Sequence, residues 1–126
     1  MNNRGPALGQ LALTVSDVTK ALRFYQDIIG LTFLFSPVEN LAFLQSGDTR
    51  IMLTTPQGAG EIGKNSICYF VVPHVEAFYA QAIEKGAMGE RPPALAAQMP
   101  EHELWIGFLK DPDGNLVGLM EEKRFE

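Results

Sequence analysis

The chain is poor in the residues that carry most metal and nucleophile chemistry. It has one cysteine, two histidines and one tryptophan among 126 residues. A single cysteine, Cys68, excludes an intramolecular disulfide and fits a reducing cytoplasm. It sits inside an apolar run, so it reads as a small buried hydrophobe rather than a nucleophile. No apolar run approaches the roughly 18 residues that a membrane helix needs. Met1-Asn2-Asn3-Arg4-Gly5-Pro6 has no apolar stretch behind its charge, which argues against a signal peptide. Ten basic residues stand against fifteen acidic ones, a net charge of −5, and no Lys/Arg cluster exists. A nucleic-acid backbone wants such a cluster, so that class of partner is excluded.

What is present is a folded-protein composition, 46% hydrophobic and 20% charged. Residues 8–15 alternate around Leu11, Leu13 and Val15 and read as a half-buried strand. Ser16 and Asp17 can cap a helix whose stripe is Val18, Ala21, Leu22, Tyr25, Ile28 and Ile29, ended by Gly30. Three strand-like pieces follow, around Thr32–Phe35, Leu41–Gln45 and Arg50–Thr54, separated by Pro37 and by Ser46-Gly47-Asp48.

The second half repeats this order. Ser66–Val72 reads as a strand, Pro73 breaks it, and Val75, Phe78, Tyr79, Ala82 and Ile83 form a helical stripe ended by Gly86. The Pro- and Ala-rich residues 88–99 stand where the first of three strands is expected, followed by strands over Glu103–Lys110 and Asn115–Glu121. A shift of 56 positions brings Leu11 onto Ile67, Val15 onto Val71, Ala21 onto Ala77 and Gly30 onto Gly86. A shift of 66 brings Ile51 onto Val117 and Leu53 onto Leu119. The expected organisation is one domain over 1–126, with module 1 at about 8–55, a linker at 56–65 and module 2 at about 66–122. Each module alone is too small for a sufficient core.

Three stretches carry a family resemblance: Leu11–Asp17 with Ala21-Leu22-Arg23-Phe24-Tyr25 and Ile28–Leu31; Ser66–Gly86; and Gly107–Asn115. Over about residues 8–122 the chain resembles the vicinal oxygen chelate superfamily: glyoxalase I, extradiol dioxygenases, and the bleomycin- and fosfomycin-resistance proteins. The resemblance implies an α+β fold of two βαβββ modules that form a half-open, cup-shaped mixed sheet, with the site inside the cup. It also implies a homodimer, in some members with the cup shared between chains. Asp111-Pro112-Asp113-Gly114 reads locally as a hairpin turn and not as a catalytic aspartate pair.

Enzymatic members hold a divalent ion on the inward faces of four strands, through His and Glu in glyoxalase I. Carried over residue by residue, the four ligand positions fall on Gln10, Met52, Ser66 and Gly118. An amide and a hydroxyl are weak donors, and Met and Gly offer a hard or borderline ion nothing. The expectation is therefore no metal and no cofactor. Metal-dependent glyoxalase and dioxygenase chemistry are disfavoured with it.

Alternation then names the side chains expected to line the cup. They are Leu8, Gln10, Ala12 and Thr14; Arg50, Met52 and Thr54; Ser66, Cys68 and Phe70; and Leu116, Gly118 and Met120. The resemblance to glyoxalase I implies that Leu41, Phe43, Ile106 and Phe108 face inward as well. Apolar walls with a few polar groups, Gln10, Arg50, Ser66 and His102, are the usual make-up of a small-molecule site. The competing possibility is that these side chains simply fill the core. His102 is a rim residue able to act as general base or ligand anchor, or a plain surface histidine at a strand start. Arg50 can hold a carboxylate or phosphate, or be solvated on its hairpin. Glu103 and Trp105 take the opposite parity, and His74 reads as a surface residue. The expected function is metal-free binding of a partly aromatic small molecule in the cytoplasm, the acidic charge suiting a cationic ligand. The alternative is a metal-independent lyase or isomerase using His102 or Glu103.

Overall fold

The computed structural model describes residues 5–58 and 60–125. Residues 1–4 of the N-terminal segment, and position 59 of the linker, lie outside the described residues. The chain divides into two compact units between Asn65 and Ser66, where the predicted linker ends.

Each unit has the same plan. In module 1, β1 (Gln10–Thr14) leads into α1 (Val18–Arg23), which continues as a π-helical turn over Phe24–Ile29. Then come β2 (Thr32–Val38), β3 (Leu41–Ser46) and β4 (Thr49–Thr54). The sheet order is β1-β4-β3-β2, with β1 parallel to β4 and the other pairs antiparallel. In module 2, β5 (Cys68–Val71), α2 (Val75–Glu84), β6 (Met88–Gln98), β7 (His102–Lys110) and β8 (Leu116–Arg124) give the order β5-β8-β7-β6. The parallel pair is again first with last, β5 with β8. This is the α+β arrangement of two βαβββ modules that the sequence implies.

Local chemistry sets the element ends. Asp17 caps α1 by accepting the Lys20 N–H at 3.1 Å. Gly30 and Gly86 follow the helical segments at φ +96° and +100°, a region costly for any residue with a Cβ. The Asp111–Gly114 segment is a turn between β7 and β8. The buried Asp111 carboxylate accepts from the Asp113 and Asn115 backbone N–H groups and from Asn115 Nδ2.

One face of each sheet is covered by its helix. In module 1 Leu13, Ala42, Leu44, Ile51 and Leu53 are buried there together with Val18, Ala21, Phe24 and Tyr25 of the helical segment. In module 2 the corresponding core is Leu109, Val117 and Leu119 with Val75 and Ala82. Leu44, Leu53, Leu109 and Leu119 are fully buried, each contributing about 1.5–3 kcal/mol relative to exposure.

Two expectations are corrected. Pro37 does not end a strand: β2 runs through it to Val38. β2 is an edge strand with register shifts, so a residue lacking an N–H is tolerated. The Pro-rich stretch 88–99 forms the expected strand, β6, which is also at a sheet edge and is broken in register around Arg91–Ala94.

The second correction concerns the repeat. Asp17 caps α1 and His74 stands at the equivalent cap of α2, an offset of 57 rather than 56. Asp17 to Gly30 is 13 positions, whereas His74 to Gly86 is 12. The extra residue is absorbed in the π-helical turn, where the Gly30 N–H reaches back to the Tyr25 carbonyl. Aligning the two terminal glycines therefore slips the preceding strand by one. Burial agrees: Val15 and Val72 are buried, at 0% and 5% exposure, while Val71 is 74% exposed.

Candidate functional site

The face of each sheet turned away from its helix carries the candidate residues. In module 1 the register pairs Gln10 with Arg50, Ala12 with Met52, and Met52 with Phe43. Leu41, Phe43, Gln10, Arg50 and Met52 thus share one face, as alternation predicts for Gln10, Arg50 and Met52 and the resemblance implies for Leu41 and Phe43. They also touch. The Arg50 Nε–H donates to Gln10 Oε1 at 2.7 Å, and Gln10 Nε2 lies 3.9 Å from Met52 Sδ. The Arg50 guanidinium stands 5.3 Å from the centre of the Phe43 ring. Phe43 stacks on Phe35, ring centres 4.8 Å apart and planes at 29°. Thr14 and Thr54, at the far end of these strands, are buried.

In module 2 the register pairs Phe108 with Gly118, Ile106 with Met120, and His102 with Arg124. His102, Ile106, Phe108 and Gly118 therefore share a face. Ser66, Cys68 and Phe70 do not join it. β5 pairs Tyr69 with Gly118 and Val71 with Met120, which turns Cys68 and Phe70 toward the helix side with Val117 and Leu119. A one-residue slip reverses every side chain of a strand. The side chain on the open face is Tyr69, whose ring packs on Gly118 and meets Phe108 edge-on, centres 5.7 Å apart. Burial raises the Cys68 thiol pKa, and the Asp111 carboxylate pushes the same way.

His102 Nε2 lies 3.7 Å from Glu122 Oε2, and its Nδ1 is buried with no hydrogen-bond partner among the described residues. Glu103 and Trp105 take the helix side. The Trp105 Nε1–H donates to Glu103 Oε1 at 2.9 Å, and Lys123 sits 4.1 Å from the Trp105 ring centre. Lys123 also grips both Glu76 carboxylate oxygens, at 2.9 and 2.8 Å, and this holds the Glu76 carboxyl below its usual range.

Sequence reasoning missed Tyr69, Arg91, Glu122 and Asn65. Arg91, in β6, lies 5.5 Å from the centre of the Phe108 ring. Asn65 accepts from the Thr14 N–H at 3.1 Å and donates to the Thr14 carbonyl at 3.0 Å. Its amide satisfies the open side of edge strand β1, as a neighbouring strand would. An Asn beside a Gly-rich linker gave no sign of that target.

The four ligand positions do not fit a divalent metal. The carboxamide oxygen of Gln10 already faces the Arg50 guanidinium, a cation. Met52 presents a thioether to the same amide. Since Tyr69 corresponds to Ala12 in the register, the third position moves from Ser66 to Ile67, which has no donor. At Gly118 a Cβ would meet the Tyr69 ring, 2.8 Å from Cε2 and 2.9 Å from Cγ. Among the described residues no cluster of three or more His, Cys, Asp or Glu side chains is placed to hold an ion. No helix among them is long and apolar enough to cross a membrane.

These features define an α+β protein of two βαβββ modules whose open sheet faces are aromatic and arginine-bearing. The chain belongs to the Glyoxalase/Bleomycin resistance protein/Dioxygenase superfamily, whose family model matches residues 7–119. It is 27% identical over 121 residues to a probable lactoylglutathione lyase of Vibrio parahaemolyticus, with 89% of this chain and 88% of that protein covered. Among solved structures it superposes on TnmS3, an antibiotic binding protein from Streptomyces sp. CB03234. That match has a TM-score of 0.75 and 22% identity, covering 94% of this chain and 97% of the other. A lactoylglutathione lyase from Agrobacterium tumefaciens gives a TM-score of 0.75 and 20% identity, covering 94% and 95%. The fold is thus shared by proteins named for binding and for catalysis.

Proposed function

We propose that the chain is a metal-independent small-molecule-binding protein that holds a partly aromatic ligand on the open faces of its sheets. The observation that carries this is the set of bonds at the ligand positions themselves. Gln10 contacts both Met52 and Arg50, and the Tyr69 ring covers Gly118. Aromatic rings with a few fixed polar groups are the composition of a site that orients an organic ligand. The antibiotic-binding neighbour offers a precedent for binding on this fold. The test is calorimetric titration with planar aromatic compounds, with and without EDTA. Saturable binding that EDTA leaves unchanged is expected; binding that appears only with an added divalent ion refutes the proposal.

A second reading, a metal-independent lyase or isomerase, rests on His102. Its buried Nδ1 lacks a partner among the described residues while Nε2 faces Glu122, an arrangement able to take and return a proton. Glu103 has less to offer, because its carboxylate is engaged by Trp105 on the helix side. Under this reading His102→Ala abolishes turnover of a substrate while leaving its binding. Equal turnover by the variant removes His102 from any mechanism.

A further inference from the structure

The net charge of −5 favours a cationic ligand, yet the open face of module 1 presents the opposite sign. Lys64, Lys110, Lys123 and Arg124 each lie within 4 Å of a carboxylate, at 3.3, 3.4, 2.8 and 3.3 Å. Arg50 has no such partner among the described residues. Nor is it a loose solvated side chain. Its guanidinium carbon lies over the Phe43 ring, 5.3 Å from the centre, and the bond from Nε to Gln10 restrains its rotation. Those two restraints leave the terminal Nη1–Nη2 fork unengaged and held in place.

That fork matches a carboxylate bidentately, and planar recognition of this kind is what distinguishes arginine from lysine. Phe43 and Phe35 continue the same surface as two stacked rings, a platform for a flat apolar body. Module 2 repeats the device. Phe108 pairs with Gly118 as Phe43 pairs with Met52, so the two phenylalanines hold equivalent places, and Arg91 lies over Phe108. Arg91 comes from β6, whereas Arg50 comes from β4, and Arg91 also lacks a carboxylate partner among the described residues. The same pairing is thus built twice beside the ligand positions.

We infer that Arg50 is an anion-binding residue and that the ligand of this face is an aromatic carboxylate, its carboxylate on the Nη fork and its ring against Phe43 and Phe35. This rests on the reading of the chain as an aromatic-binding protein. Three probes with one ring system separate the two ideas: 2-naphthoate, 2-naphthamide and 2-naphthylmethylammonium, titrated by calorimetry into the full chain. The wild type is expected to bind the carboxylate roughly ten- to hundredfold more tightly than the other two. Arg50→Gln should erase that preference and leave the amide within roughly twofold of its wild-type affinity. Arg50→Lys should recover only part of it, since an ammonium presents no fork. Equal binding of amide and carboxylate by the wild type overturns the anion inference and leaves aromatic binding standing. So does a carboxylate preference that survives Arg50→Gln. Failure of all three probes to bind overturns the aromatic-binding reading, and this inference with it.

Discussion

A methyl group added at Gly118 probes the register and the site at once. The new Cβ would lie 2.8 and 2.9 Å from Cε2 and Cγ of Tyr69, where ordinary contact begins near 3.4 Å. Gly118 does not have positive φ, so space alone is at issue. The Tyr69 ring must leave its seat, and its edge-on contact with Phe108 goes with it. An aromatic pair of that kind is worth about 0.5–1.5 kcal/mol, and inserting a methyl into a packed site costs about 1–3 kcal/mol. Tyr69 is 47% exposed and can swing toward solvent, so Gly118→Ala should fall at the low end, about 1–2 kcal/mol. Urea unfolding followed by circular dichroism reads this directly. In a Tyr69→Ala background the obstacle is absent, and the same substitution should cost less than about 0.5 kcal/mol, a coupling of about 1 kcal/mol. Equal cost in both backgrounds would refute the packing of Tyr69 on Gly118.

Asn65→Ala removes two hydrogen bonds from the Thr14 backbone and should lower stability by about 1–3 kcal/mol in the same urea assay; an unchanged midpoint would show that water replaces the amide without loss. Cys68 should react with iodoacetamide more slowly in the folded chain than in the urea-unfolded one, because burial and Asp111 hold the thiol protonated. The sign for stability follows: above the unfolded thiol value of about 8.5 the unfolded chain releases its proton first, so stability falls as pH rises toward the raised folded value. Cys68→Ala should flatten that alkaline decline, and an unaltered slope would assign it to other groups. Leu53→Ala should cost about 2–5 kcal/mol as a core cavity; less than about 1 kcal/mol would mean that β4 is not packed as described.

Much of this was legible in the sequence because it depends on local chemistry. Apolar spacing over residues 18–29 and 75–83, glycines at positive φ, and the Asp111–Gly114 turn each act within a few residues. The shared face of Gln10, Arg50 and Met52 follows from the two-residue period of strands once the family's ligand positions fix which face is meant, and the resemblance added Phe43. β5 failed for a reason of the same kind. An added residue in a π-helical turn preserves the helical stripe well enough to escape notice, yet it moves the alignment anchor by one. That slip put Phe70 and Ser66 on the open face in place of Tyr69 and Ile67. Arg91 and Asn65 could not be found, since one depends on the broken register of β6 and the other on a contact across 51 residues.

The claim that Gln10, Met52, Ile67 and Gly118 make no metal site is tested most directly by equilibrium dialysis of the purified chain against Ni(II), Zn(II), Fe(II) and Mn(II), followed by metal analysis. The account predicts no ion retained in stoichiometric amount, and no change on Met52→Ala. One tightly held ion per chain, lost on substitution of Gln10 or Met52, would contradict it.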